Sequence, residues 1–306
     1  MPCVNCGKAV SGIDAPLKPE NDSVFQDGVI CACYNLFNNM FKWLAQVIKE
    51  NIANFTLTVS IARIDLERQH NASDLGIFWA VAKPVFYLFM FYFAITVGFR
   101  GTAKVEDLHC PYFIWLAAGI VQWQFISDLL VWGSGCFQRQ ANIVRYTGFP
   151  LTTVPLIAVM TRFYVYLAMI AALIITSVCA GVMPSIYWLQ LPIYILLTVI
   201  FCYIWVMLTA LINTISSDFI EFIRVIRTAF FWLSGIIYNV HNSNNLFFAF
   251  NPICYLAEGF RNCFAYHIWI WERGRLFIYF VIVMAVLTAL CGLLWKRVGR
   301  RIPELV

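Results

Sequence analysis

The sequence predicts an all-α, polytopic membrane protein. It has six transmembrane helices, an amphipathic interface helix before the first, and a re-entrant helical hairpin before the last. Three observations carry this. Of 306 residues, 61% are hydrophobic and 12% charged, whereas a soluble domain is nearer half apolar and a quarter charged. Apolar runs of about 20 residues, the length that crosses a bilayer, recur along the chain. The basic residues fall unequally on the two sides these runs define.

Residues 1–34 hold Pro2, Pro16 and Pro19 and show no helical period, so they read as a polar cytoplasmic tail ahead of a transmembrane domain over 35–306. No apolar core follows a basic start, and no cleavable signal peptide is expected. Cys3-Val-Asn-Cys6 looks like half of a zinc ribbon. Its partner pair would be Cys31-Ala-Cys33, and a spacing of one is shorter than structural zinc sites use. The other reading, four reduced thiols and no metal, is the expectation. Eleven scattered cysteines make no disulfide framework.

From Asn35 to Gln69 the residues Leu36, Phe37, Met40, Phe41, Leu44, Val47 and Ile48 recur at three-four spacing, with Lys42, Lys49 and Glu50 on other faces. That pattern predicts an amphipathic helix flat on the inner membrane surface. Leu75–Phe99 is the first span; its one charge is Lys83, and it carries eight aromatic rings. After a polar link, Tyr112–Gly135 is the second, followed by a polar loop, Cys136–Pro150, with Arg139 and Arg145. Leu151–Cys179, containing Arg162, is the third, and Pro192–Ile215 the fourth. Phe222–Val240 is the fifth if Arg224 and Arg227 snorkel to the surface. Leu246–His267 is apolar but split by Asn251-Pro252 into halves too short to span. Leu276–Trp295 is the sixth, with Lys296, Arg297, Arg300 and Arg301 behind it.

Of the 21 Lys and Arg residues, Lys83 and Arg162 fall inside spans, and Arg100, Lys104, Arg261, Arg273 and Arg275 lie on one side. The other 14 lie on the side carrying both termini, which makes the termini cytoplasmic. The basic residues form no single stripe, so nucleic acid is not an expected partner.

Charged residues within a span are costly and face a bundle interior or water. Lys83 and Arg162 either contact an anionic substrate group or serve structurally, with Asp128 as the available partner. Gln124 and Asp128 are four apart and share a helix face. Gln122 and Trp115, seven apart, share another. Such a stripe marks an inter-helix surface or an aqueous path. Sugar C–H faces stack on aromatic rings, so a conduit for a glycan favours rings over charges. Trp79, Tyr112 and Phe113 fit an interfacial belt. Tyr87, Trp115 and Trp123 sit deeper and are candidates to line a conduit. His109, His241 and His267 are isolated, and no catalytic constellation is visible. Gly7-Lys8 has no strand before it and no Ser or Thr after it, so it is not a phosphate-binding loop. If ATP drives this chain, another polypeptide hydrolyses it.

Six blocks recur in a familiar order: Asp74–Pro84 (DLGIFWAVAKP), Ala117–Asp128 (AAGIVQWQFISD), Ala141–Pro150 (ANIVRYTGFP), Ser217–Glu221 (SDFIE), Ser234–Tyr238 (SGIIY) and Asn251–Asn262 (NPICYLAEGFRN). Together they make the region from Phe41 to Val306 resemble the membrane permeases of type-two ABC exporters for lipid-linked polysaccharides, namely O-antigen, capsule or wall teichoic acid. Lys83 stands where that family has a neutral polar residue, and Gln122 and Gly235 stand where proline is common.

The resemblance implies a homodimer in the bacterial cytoplasmic membrane, with two separate ATPase subunits holding ATP and Mg and no cofactor in this chain. The path for the lipid-linked glycan would be lined by Lys83, Tyr87, Trp115, Trp123, Gln124 and Asp128. The amphipathic helix would form its lipid-side gate. By their position at the membrane surface before the first span, Arg63 and Arg68 either meet a diphosphate head group or serve as plain positive-inside anchors. Arg139, Asn142, Arg145 and Tyr146 would couple to the ATPase. Tyr238, Asn251, Pro252, Glu258 and Arg261 would belong to an extracellular gate. The alternatives are a drug or lipid ABC permease of the same architecture and a membrane-embedded glycan-modifying enzyme.

Overall fold

In the computed structural model, residues 42–70, 78–94, 108–146, 149–241 and 245–305 are described. The chain divides into two units, Met1–Trp43 and Leu44–Val306, and all the numbered helices below belong to the second. The cysteine-bearing tail, the first turns of the amphipathic segment, both ends of Leu75–Phe99 and most of Arg100–Cys110 lie outside the described residues.

Every regular element among the described residues is helical. We number the main ones α1 (residues 44–53), α2 (Phe55–His70), α3 (Phe78–Phe93), α4 (Tyr112–Trp132), α5 (Val154–Cys179), α6 (Leu191–Ile215), α7 (Phe219–Leu233), α8 (Pro252–Arg261) and α9 (Gly274–Val298). Among the described residues four segments are long and apolar enough to cross a bilayer: Tyr112–Arg139, Leu151–Cys179, Ile186–Ile215 and Gly274–Val298. They correspond to the second, third, fourth and sixth expected spans.

The other two expected spans are shorter as helices. α3 has 16 residues, and its flanks are not described. α7 has 15 residues, about 22 Å, and stops at Leu233 instead of running to Val240. Gly235 takes a left-handed φ of 65°, which L side chains adopt at a steric cost. The next carbonyls are then claimed from outside α7, because Arg261 of α8 donates to both Gly235 O and Ile236 O. An apolar run becomes a folded-back loop because a buried guanidinium satisfies its backbone.

α4 is the central element. It is 83% buried along its apolar window and packs against α3, α5, α6, α7 and α8. Gly119 has no side chain toward α8, which lets that neighbour approach closely. A Cβ on Gly119 would strike the Arg261 guanidinium, and one on Gly133 would strike Val206 of α6.

The expected single helix over Asn35–Gln69 is two helices that meet at Asn54, with helical backbone bonds kept across the join. Thr58, Ala62 and Leu66, four apart, are buried, and α2 lies along α5. Ile48, Ile52, Phe55, Leu57 and Ile64 point outward. The end of α1 is fastened by polar bonds. Asn51 Nδ2 donates to Tyr203 Oη at 2.9 Å, Tyr203 Oη donates to Thr152 O at 2.9 Å, and the Thr152 hydroxyl donates to the Glu50 carboxylate.

The Asn251-Pro252 break behaves as its residue types dictate. Asn251 caps α8, its Oδ1 accepting from Ile253 N (3.0 Å) and Cys254 N (3.3 Å), with proline at the first helical position. Its Nδ2 donates to Ser234 Oγ at 3.0 Å, which ties the start of α8 to the end of α7. Residues Ile253–Arg261 are all buried. A π-turn over Asn262–Tyr266 ends at His267, whose φ is 54°.

Candidate functional site

The C-terminal half of α4 borders a cavity of about 480 Å³ shared with α3, α5 and α7. Helices α3, α4 and α7 each contribute residues one turn apart, as a common face requires. From α3 come Trp79, Lys83 and Tyr87; from α4, Trp123, Gln124, Ser127 and Asp128; from α5, Arg162; from α7, Arg227, Thr228 and Phe231. Rings pack the wall between α3, α4 and α7, with centroids 5.4 Å apart for Phe91–Phe231 and 5.5 Å for Trp123–Phe231. Trp79 and Tyr87 are exposed, and Trp123 is buried.

The charges do not balance. Lys83, Arg162 and Arg227 line the cavity with one carboxylate, Asp128, which interacts electrostatically with both arginines; Asp65, outside the lining, also acts on Arg162. Among the described residues none of the three cations forms an ion pair within 4.0 Å. Arg162 lies with its Cζ 4.5 Å from the centre of the Trp132 ring, and its buried Nε has no hydrogen-bond partner. Arg139 stacks on the same indole at 3.9 Å and donates to Trp132 O. Trp132 therefore carries two guanidinium groups, one of which borders the cavity.

The N-terminal end of α4 is built differently. Arg261 is fully buried, with its Cζ 3.7 Å from the centre of the Trp115 ring. It donates to Gly235 O at 2.9 Å and to Glu258 Oε1 at 2.7 Å, as well as to Ile236 O. Glu258 Oε2 shares a 3.2 Å hydrogen bond with His241 Nδ1, and the His241 ring stacks on Tyr266 at 3.7 Å. Trp115 Nε1 donates to Tyr266 Oη at 2.8 Å, which donates to Asn239 Oδ1. Burial alone would raise the Glu258 carboxyl, but the His241 hydrogen bond and the Arg261 charge outweigh it and hold it below its ordinary value. Every charged group in this clamp is answered.

Of the residues expected along a conduit, Lys83, Tyr87, Trp123, Gln124 and Asp128 come together on the cavity. Trp115 does not; it is sealed in the clamp, completely buried. Gln122, which the sequence puts on Trp115's face, is also buried. It accepts from Tyr166 Oη at 2.5 Å and donates to Thr198, joining α4, α5 and α6. Arg63 is 76% exposed and pairs with Glu67 at 3.2 Å; neither it nor Arg68 lines the cavity. Arg139 closes a short helix, Cys136–Arg139, just before Ala141–Tyr146, where Asn142 and Arg145 are exposed. The Tyr146 side chain and residues 147–148 lie outside the described residues. Glu258, Arg261, Asn251 and Pro252 all belong to α8 or its cap, and Tyr238 Oη donates back to Trp232 O at 2.8 Å. Arg227 and Phe231 are cavity residues that the sequence does not nominate. The signal that could have found them is their four-residue spacing on α7.

No family model matches this chain. Two Klebsiella pneumoniae proteins, each named O-antigen export system permease protein RfbA, are 24% identical to it over 214 residues. The alignment covers 69% of this chain and 80% of theirs. Over that stretch the chain is similar to O-antigen export permeases. That similarity agrees with the all-helical architecture and its membrane-length helices.

Proposed function

We propose that this chain is the permease of an ABC exporter that moves lipid-linked polysaccharide or teichoic acid across the bacterial cytoplasmic membrane. It is a transporter subunit and not an enzyme, and a separate ATPase hydrolyses ATP. The observation that carries the reading is the cavity beside α4, where aromatic rings and three cations meet on four helices. Rings suit sugar faces, and cations suit the phosphate that joins a glycan to its lipid. The curated relatives are named for O-antigen export, which supports the same substrate class.

A large hydrated polymer needs a wider path than one such bundle provides, so two copies of the chain would frame it, with two ATPase subunits below. In this reading Arg139, Asn142, Arg145 and Tyr146 meet the ATPase, and both termini are cytoplasmic. The clamp of Glu258 and Arg261, with Asn251, Pro252 and Tyr238 beside it, forms the gate on the far side.

The test is reconstitution of the full chain with its ATPase in liposomes. Lipid-linked glycan should stimulate ATP hydrolysis and appear across the membrane. A chain that co-purifies with no ATPase, or hydrolysis indifferent to the glycan, would refute the reading.

A further inference from the structure

We propose that the cavity beside α4 is an oxyanion site. Lys83, Arg162 and Arg227 receive there the phosphate or diphosphate through which the glycan is joined to its lipid. This rests on the export reading above and goes further by naming the residues that hold the charged group.

Three lines of observation converge. The first is charge. Three cations from three different helices line the cavity against one lining carboxylate, with Asp65 the further carboxylate acting on Arg162, and among the described residues none of the three has an ion-pair partner within 4.0 Å. Excess positive charge in a partly dry cavity is costly, and an anion with acidic oxygens offsets that cost. The second is pre-organisation. Arg162 is held against the Trp132 ring, which fixes its plane while leaving N–H edges free, and its buried Nε has no acceptor. A planar guanidinium held in this way suits bidentate binding of phosphate. The third is the surroundings. Trp79, Tyr87, Trp123 and Phe231 border the cations, so a sugar next to the phosphate meets rings. Phe86 and Phe89 of α3 and Phe222, Val225 and Trp232 of α7 are exposed, so a lipid tail finds apolar surface on the two helices that border the site. About 480 Å³ lies within the range of small-ligand sites. It fits a head group and an adjoining sugar, not a folded polymer.

Arg63 and Arg68 make a poorer site. Arg63 is engaged by Glu67, and neither residue reaches the cavity.

The test is a binding measurement on the purified full chain, read by quenching of tryptophan fluorescence. The probes are a synthetic polyprenyl diphosphate disaccharide, the same disaccharide joined to the polyprenyl chain by an ether, and inorganic pyrophosphate. The diphosphate lipid should bind about tenfold or more tightly than the ether, the value of one charge-assisted hydrogen bond. Lys83→Met, Arg162→Met and Arg227→Met should each weaken the diphosphate lipid by about tenfold and leave the ether unchanged. Arg275→Gln removes a cation that does not line the cavity and should change neither. Lys83 has an exposed side chain, so its variant carries the test even if Arg162→Met fails to fold. Pyrophosphate should compete, but more weakly than the lipid. Equal affinity for the two lipids, or cation variants that bind like wild type, overturns the oxyanion site and leaves the export reading standing. Pyrophosphate binding as tightly as the lipid shows a free-anion site and overturns the lipid-linked assignment. Loss of the export reading appears separately, as glycan-independent ATP hydrolysis.

Discussion

Arg261→Met is the sharpest probe of the fold. Methionine fills much of the same volume, but the guanidinium's partners are stranded. Gly235 O and Ile236 O lose their donor, Glu258 keeps only His241, and the Trp115 ring loses its cation. Removing one partner of a buried charged pair costs about 3–5 kcal/mol. At about 2–4 °C per kcal/mol for a chain of this size, the melting temperature should fall by about 6–20 °C. Thermal unfolding of the detergent-purified chain, followed by intrinsic fluorescence, reads this directly. Adding Glu258→Gln should recover part of the loss, because the stranded carboxylate is then neutral. Arg261→Lys should fall between, since an ammonium keeps the charge without the fork that spans four acceptors and a ring. A drop below about 1 kcal/mol for Arg261→Met, or no recovery in the double variant, would refute the clamp as a charge-satisfied unit.

Four further outcomes follow from the same contacts. Glu258 is held below its ordinary value of 4.5, so its stabilisation is present above that pH and drains away as the pH falls through the lowered value; wild type should lose melting temperature on acidification there, and Glu258→Gln should lose less. Gly259→Ala drives a Cβ into the Tyr194 ring and should destabilise by about 1–3 kcal/mol, read by the same melts. Trp115→Ala should cost about 3–5 kcal/mol of stability, since the ring is completely buried. Trp132→Leu removes the surface on which Arg139 and Arg162 both lie and should weaken diphosphate-lipid binding several-fold, with each stacked cation worth about 1–2 kcal/mol.

What the sequence reveals about this chain is what helix periodicity alone can carry. Gln124 and Asp128 share a face by spacing, as do Lys83 and Tyr87, and all four line the cavity. Trp115 misleads because its surroundings are set by a residue 146 positions away: only the fold brings Arg261 onto its ring. Arg227 reads as a positive-inside anchor because a basic residue at a span end has that common explanation. The end of α7 is illegible for a similar reason. Ser234-Gly-Ile-Ile-Tyr238 is apolar enough to continue a span, and what stops the helix is a left-handed glycine and a guanidinium arriving from α8. Asn251-Pro252, by contrast, announces a helix start locally, and the cap is where its chemistry puts it.

Two of the arginines that lie over tryptophans of α4 show why charge alone does not nominate a site. Arg261 and Arg162 are the same residue type, each lies over an indole, and each would look equally unusual in a hydropathy profile. They differ in whether their donors are answered. Arg261 has Trp115 O, Gly235 O, Ile236 O and Glu258 around it, and a ligand could join only by displacing one of them. Arg162 has a buried Nε without an acceptor, no ion pair within 4.0 Å among the described residues, and a cavity in front of it. A satisfied buried cation holds the fold together, and an unsatisfied one facing space is available to a ligand. By that criterion the two ends of α4 divide the labour. The Trp115 end is closed by internal bonds, and the Trp132 end keeps binding capacity in reserve.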